Sequence, residues 1–86
     1  MNDKISCLTK IKTLYPEMTD SEKSIADFIL NHPEEIYSLK ISDLARETGV
    51  SLPTVFRFTR TLGYEGFKDF KVNLVSSVSY TYALTR

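Results

Sequence analysis

The chain has 86 residues, 42% of them hydrophobic and 26% charged, with three Gly and three Pro; this excludes a disordered or collagen-like polymer and leaves room for one modest core, not a catalytic domain with a deep cleft. Eleven basic residues balance eleven acidic ones, so no net positive charge points to a polyanionic partner. One cysteine, Cys7, and one histidine, His32, supply neither an internal disulfide nor a structural zinc site, no apolar run approaches the roughly 20 residues of a membrane span, and residues 1–12 lack a signal-peptide core, so a cytoplasmic location is expected.

In chain order, Ile5, Leu8, Ile11 and Tyr15 recur at helical spacing and predict a short amphipathic helix ended by Pro16. Thr19 and Glu22 form a capping-box pattern, with Ile25, Ala26, Ile29 and Leu30 as the buried stripe of the helix it starts. Asn31, His32 and Pro33 punctuate that helix. Pro33, Glu34 and Glu35 then suit the first turn of another short helix, with Ile36 and Leu39 pointing inward. Ile41, Leu44 and Ala45 read as a further helix stopped by a left-handed cap at Gly49. Ser51 is an N-cap candidate with Pro53 tolerated in the next opening turn, and Val55, Phe58 and Leu62 form that helix's inner face before Gly63 closes it. Phe67, Phe70, Leu74, Val75 and Val78 mark a last helix, followed by a Ser-, Thr- and Tyr-rich tail. The expectation is an all-α bundle of five or six helices, with a domain over residues 1–78 and a tail or linker start over 79–86.

Charge is unevenly spread along this plan. Residues 17–35 carry six acids against one lysine, whereas residues 48–64 carry Arg57 and Arg60 and no acid, so a surface built from them is purely cationic. Within residues 41–60, two helices meet through a glycine. Ala45 is small enough for close approach, Gly49 suits a positive φ, and Val50, Val55 and Phe58 seal the corner, which is the pattern of a helix-turn-helix. With Val55, Phe58 and Leu62 inside, a period of about 3.6 puts Thr54, Arg57 and Thr61 outside, with Ser51, Leu52 and Pro53 at the tip.

Helix 52–62 is therefore expected to enter the major groove of double-stranded DNA. Arg57 suits a bidentate contact with guanine, Thr54 a base or a thymine methyl, and Leu52 or Pro53 an apolar contact. The first amides of the helix, the Ser51 hydroxyl, Lys40, Arg60 and Lys68 suit phosphate. Phe56 lies between the faces, where an aromatic more often packs than contacts a ligand, and successive side chains about 100 degrees apart make a poor stacking platform for single strands. Catalysis finds no constellation: Glu34 and Glu35 are expected to diverge, and His32 and Cys7 stand alone. Gly49, Gly63 and Gly66 match no phosphate loop or dinucleotide fingerprint, so no cofactor, metal or enzymatic activity is expected. The competing reading is a helical protein-interaction module that docks the same face on a protein.

The stretch 18–74, about two-thirds of the chain, resembles the N-terminal DNA-binding domain of the RpiR family of bacterial transcriptional regulators. The resemblance rests on Met18-Thr19-Asp20-Ser21-Glu22-Lys23-Ser24-Ile25-Ala26, Ile41-Ser42-Asp43-Leu44-Ala45, Gly49-Val50-Ser51, Thr54-Val55-Phe56-Arg57-Phe58 and Leu62-Gly63-Tyr64-Glu65-Gly66-Phe67-Lys68-Asp69-Phe70-Lys71. It implies DNA contacts at Ser51, Thr54, Arg57 and their neighbours, and a homodimer on a two-fold-related site. It also implies a following sugar isomerase (SIS) domain that binds a sugar-phosphate effector, expected to begin about where this chain stops. Phe56 is bulkier than the aliphatic residue the resemblance leads one to expect.

Overall fold

The computed structural model describes the backbone of residues 6–85 and the side chains of residues 6–78. Five α-helices run in order: α1 Cys7–Leu14, α2 Asp20–Asn31, α3 Ile41–Thr48, α4 Leu52–Thr61 and α5 Phe67–Thr85. Two 3-10 turns, Tyr15–Glu17 and Pro33–Ser38, join α1 to α2 and α2 to α3, and no strand occurs among the described residues. The fold class is all-α, as the periodicity predicts. No helix among the described residues is long and apolar enough to cross a membrane.

Local chemistry starts and stops these helices. The Glu22 N–H donates to Thr19 Oγ1 at 3.2 Å and the Thr19 N–H to Glu22 Oε1 at 2.9 Å, so the capping box satisfies two amides that α2 would otherwise orphan. The segment after Pro33 winds as a 3-10 turn instead of a full α-helix, with Ile36 buried on it and Leu39 buried just beyond it. At the end of α3, Gly49 sits at φ +75°, and the Gly49 and Val50 amides both donate to the Ala45 carbonyl, at 2.9 and 3.1 Å. That pairing is available only with a left-handed residue at the corner. α4 begins two residues later on the Ser51 cap, whose hydroxyl accepts the Thr54 N–H at 3.3 Å.

α2, α3 and α4 pack against one another around Ile25, Ile29, Leu44, Val55 and Phe58. α1 and α5 close over this trio, with Ile11, Phe70, Leu74 and Val78 fully or almost fully buried. Phe70 is the aromatic hub, its ring 5.9 Å from those of Phe58, Tyr64 and Phe67 and edge-on to Phe58. Leu30, expected in the buried stripe of α2, is only half-buried and packs on the rim. Ile5, expected on the inner face of the first helix, lies outside the described residues; Cys7 and Ile11 supply the buried contacts of α1. α5 runs helical through 79–85, the stretch the sequence sets apart as a tail.

Candidate nucleic-acid interface

The inner arc of α4 is filled by Val55, Phe58 and Thr59, with Leu62 buried at its C-cap. Thr59 can occupy the core because its hydroxyl donates to the Phe56 carbonyl at 2.7 Å, leaving no unsatisfied polar atom inside. The remaining arc faces solvent: Ser51, Leu52, Pro53, Phe56, Arg57, Arg60 and Thr61 are exposed and Thr54 is half-buried. Eight of the ten expected contact residues thus lie on one helix and its cap. Lys40, also exposed, stands at the N-cap of α3, the end remote from the corner by about 12 Å of helix. Lys68 is exposed in the first turn of α5.

The electrostatics of this face follow from what is absent beside it. Among the described residues neither Arg57, Arg60, Lys40 nor Lys68 makes a close ion pair, although the Lys40 charge also acts on Asp43. Arg46 on α3 is the contrast: its Nη2 lies 2.8 Å from Asp43 Oδ1, and that hydrogen bond holds the Asp43 carboxyl below its usual range. The Asp43 carboxylate also accepts the Lys40 N–H at 3.3 Å, capping α3.

Two expectations about the tip need correction. The first amides of α4 do not form a ready anion cradle: Pro53 has no N–H and the Thr54 amide is taken by the Ser51 hydroxyl, so Leu52 supplies the one first-turn donor without an acceptor among the described residues. The Ser51 hydroxyl is engaged as well, 2.9 Å from Thr54 Oγ1. Phe56 is not core. It is 44% exposed, with the Arg60 guanidinium 5.8 Å from its ring centroid and its edge against the turn at Gly66. Leu52, at 49%, is likewise exposed.

Glu34 and Glu35, expected to diverge, converge with His32: one ligand atom from each lies within 4.8 Å of the others at the surface, because the tight 3-10 turn brings these long side chains together.

Sequence reasoning missed the residues that hold α4 from behind. Lys10 Nζ reaches the Leu62 carbonyl at 3.5 Å and lies 4.6 Å above the Tyr64 ring, placing a cation at the negative end of α4. The Tyr64 hydroxyl is hydrogen-bonded to the Cys7 thiol; burial, more than that bond, pushes the tyrosine up, and burial also pushes the thiol up to about 11. No local signal carries these pairings, since 52 residues separate Lys10 from Leu62.

The pattern of the helix-turn-helix domain, rpiR family, matches residues 5–81. Among curated proteins, the chain is 40% identical over 76 residues to a bifunctional protein glk of Burkholderia thailandensis, covering 88% of this chain and 12% of that one. It is 44% identical over 73 residues to an uncharacterized HTH-type transcriptional regulator of Thermotoga maritima, covering 84% and 26%. The chain therefore spans about an eighth of the length of the first relative and about a quarter of the second. The crystal structure of the N-terminal domain of ybbH, a candidate transcriptional regulator of Bacillus subtilis, superposes with a TM-score of 0.79 at 26% identity, covering 85% of this chain and 89% of that one. With the matched pattern spanning nearly all of its helices, the chain belongs to the rpiR family of helix-turn-helix domains.

Proposed function

We infer that the chain is the DNA-binding head of a bacterial transcriptional regulator, and that α4 lies in the major groove of double-stranded DNA. The observation that carries this reading is the outer face of α4, where Arg57 stands exposed and unpaired within a stretch, 48–64, that holds no acid. Arg57 reads guanine through its guanidinium fork, and Thr54, Thr61, Leu52 and Pro53 contact neighbouring base edges and methyl groups. Lys40, Arg60 and Lys68 neutralise phosphates, with Ser51 and the Leu52 amide at the tip and Phe56 on the flank. Two heads act as a homodimer on a two-fold-related site. Residues 1–78 form the head, and 79–86 begin the connection to a SIS domain through which a sugar phosphate alters the placement of the two heads in the bacterial cytoplasm.

A mobility shift at two salt concentrations tests the reading. Duplex binding that weakens steeply with salt is expected; no duplex binding, with stable association to a protein, would establish the interaction module instead. Arg57→Ala is expected to cost about 1–3 kcal/mol of binding on a selected site at unchanged melting temperature. Undiminished specific binding would remove Arg57 from the interface.

A further inference from the structure

Arg46 and Arg60 are two exposed arginines held in opposite ways. Arg46 is fixed by a carboxylate, Asp43, which consumes part of its donor edge and cancels its charge. Arg60 has no carboxylate partner among the described residues. One helical turn before it lies Phe56, with the Arg60 guanidinium carbon 5.8 Å from the ring centroid. The Cε1 edge of the ring lies on the side of Gly66, where an added Cβ would stand 3.6 Å away, an ordinary van der Waals contact. Val55, Phe58 and Thr59 occupy the inner arc, so the aromatic stays at the surface as a wall beside the cation.

We propose that Phe56 is a positioning residue: its ring, exposed beside Arg60 on the outer face of α4, holds the Arg60 guanidinium by its face and leaves the guanidinium edge open for a DNA phosphate. The proposal rests on the reading of α4 as a duplex-binding helix and names what prepares one of its phosphate contacts. A guanidinium stacked on an aromatic face keeps its full charge and its in-plane N–H groups. An arginine loses much rotamer freedom when clamped on a phosphate, and a side chain already stacked loses less on binding. Phe56 thus orders Arg60 as Asp43 orders Arg46, without neutralising it.

The test is a double-mutant cycle on a mixed-sequence duplex, since a phosphate contact is independent of sequence. Phe56→Leu is expected to weaken binding about two- to five-fold, the range for an exposed cation–aromatic pair, at unchanged melting temperature. In an Arg60→Ala background the same change is expected to have no further effect, and Phe56→Tyr to bind as the parent chain does. Independently of DNA, the Arg60 δ-methylene protons are expected upfield of their usual position by the ring current and to return to it in Phe56→Leu. Wild-type affinity in Phe56→Leu, or a loss that persists in full in the Arg60→Ala background, would overturn the proposal while leaving duplex binding intact. A parent chain that binds no duplex at all would bring down the reading beneath it, and the proposal with it.

Discussion

The α3–α4 corner and the α1–α5 pair are both helices packed on one core, yet they are built over opposite lengths of chain. Three residues, 49–51, separate α3 from α4, and one backbone angle, φ +75° at Gly49, sets their meeting. Between α1 and α5 the Cys7 N–H donates at 2.8 Å to Ser77 Oγ, 70 residues away, and the Leu8 N–H reaches the same oxygen at 3.4 Å. Closing a longer loop costs more entropy, although only logarithmically, so the distant pair depends on burial and on polar groups satisfied across the interface. The corner spends its polar side chains outward and presents a surface; the clasp turns its own inward and holds that surface still.

If that division holds, changes in the clasp lower stability and leave DNA selectivity alone. The largest effect is expected at Phe70, which joins the two regions. Phe70→Ala removes a ring with no solvent exposure and three aromatic neighbours, and is expected to cost about 3–5 kcal/mol in urea unfolding. Stability of a domain this small is of order 5–15 kcal/mol, so the variant should lose a large share of it. A loss below about 1 kcal/mol would mean that α4 and α5 are not coupled through this ring.

Next in size is the corner itself. A Cβ at Gly49 meets nothing within 4 Å, so the cost of substitution is the positive φ alone. Gly49→Val is expected to lose about 2 kcal/mol and Gly49→Asn distinctly less, because asparagine tolerates the left-handed region. Thermal melts of the two variants decide it: equal losses would point to packing and not to φ.

These two sites also mark how far the sequence could be read. The Thr19–Glu22 box, the left-handed Gly49 and the Ser51 cap each involve residues three to five apart, so their physics is complete within a short window. The same holds for the outer arc of α4, which follows from three inner residues and the helical period. Phe56 could not be placed that way. Thr59, a polar residue, takes the inner position beside Phe58 by bonding the Phe56 carbonyl, and this leaves the aromatic outside. The Lys10 cap on α4 and the Ser77 oxygen beneath α1 depend on contacts across 52 and 70 residues, for which no periodicity gives a sign.

A smaller change sharpens the clasp's side of the comparison. Ser77→Ala deprives the first turn of α1 of its acceptor and is expected to cost about 1–2 kcal/mol, with Ser77→Thr retaining much of the stability. DNA affinity per folded molecule should stay at the parent value. Weaker binding by fully folded Ser77→Ala would show that the clasp tunes the recognition surface directly.

The smallest expected effect is alkaline. Burial pushes the Cys7 thiol from 9.0 up to about 11, outweighing the Tyr64 hydrogen bond and the Lys10 charge, which pull it down. The folded chain therefore keeps this proton more tightly than the unfolded chain does. The resulting stability is complete below about pH 9 and is lost as pH rises through about 11. Between pH 8 and 10 the thiol alone should lower the unfolding free energy by about 1 kcal/mol. Tyr64, raised chiefly by burial, adds a loss of the same sign that begins at higher pH. Cys7→Ala removes the thiol, so its unfolding free energy should fall less steeply over this interval whatever its starting value. Parallel slopes for the two proteins would mean that the thiol is not the group released, and that the clasp opens around Cys7 before the rest of the fold yields.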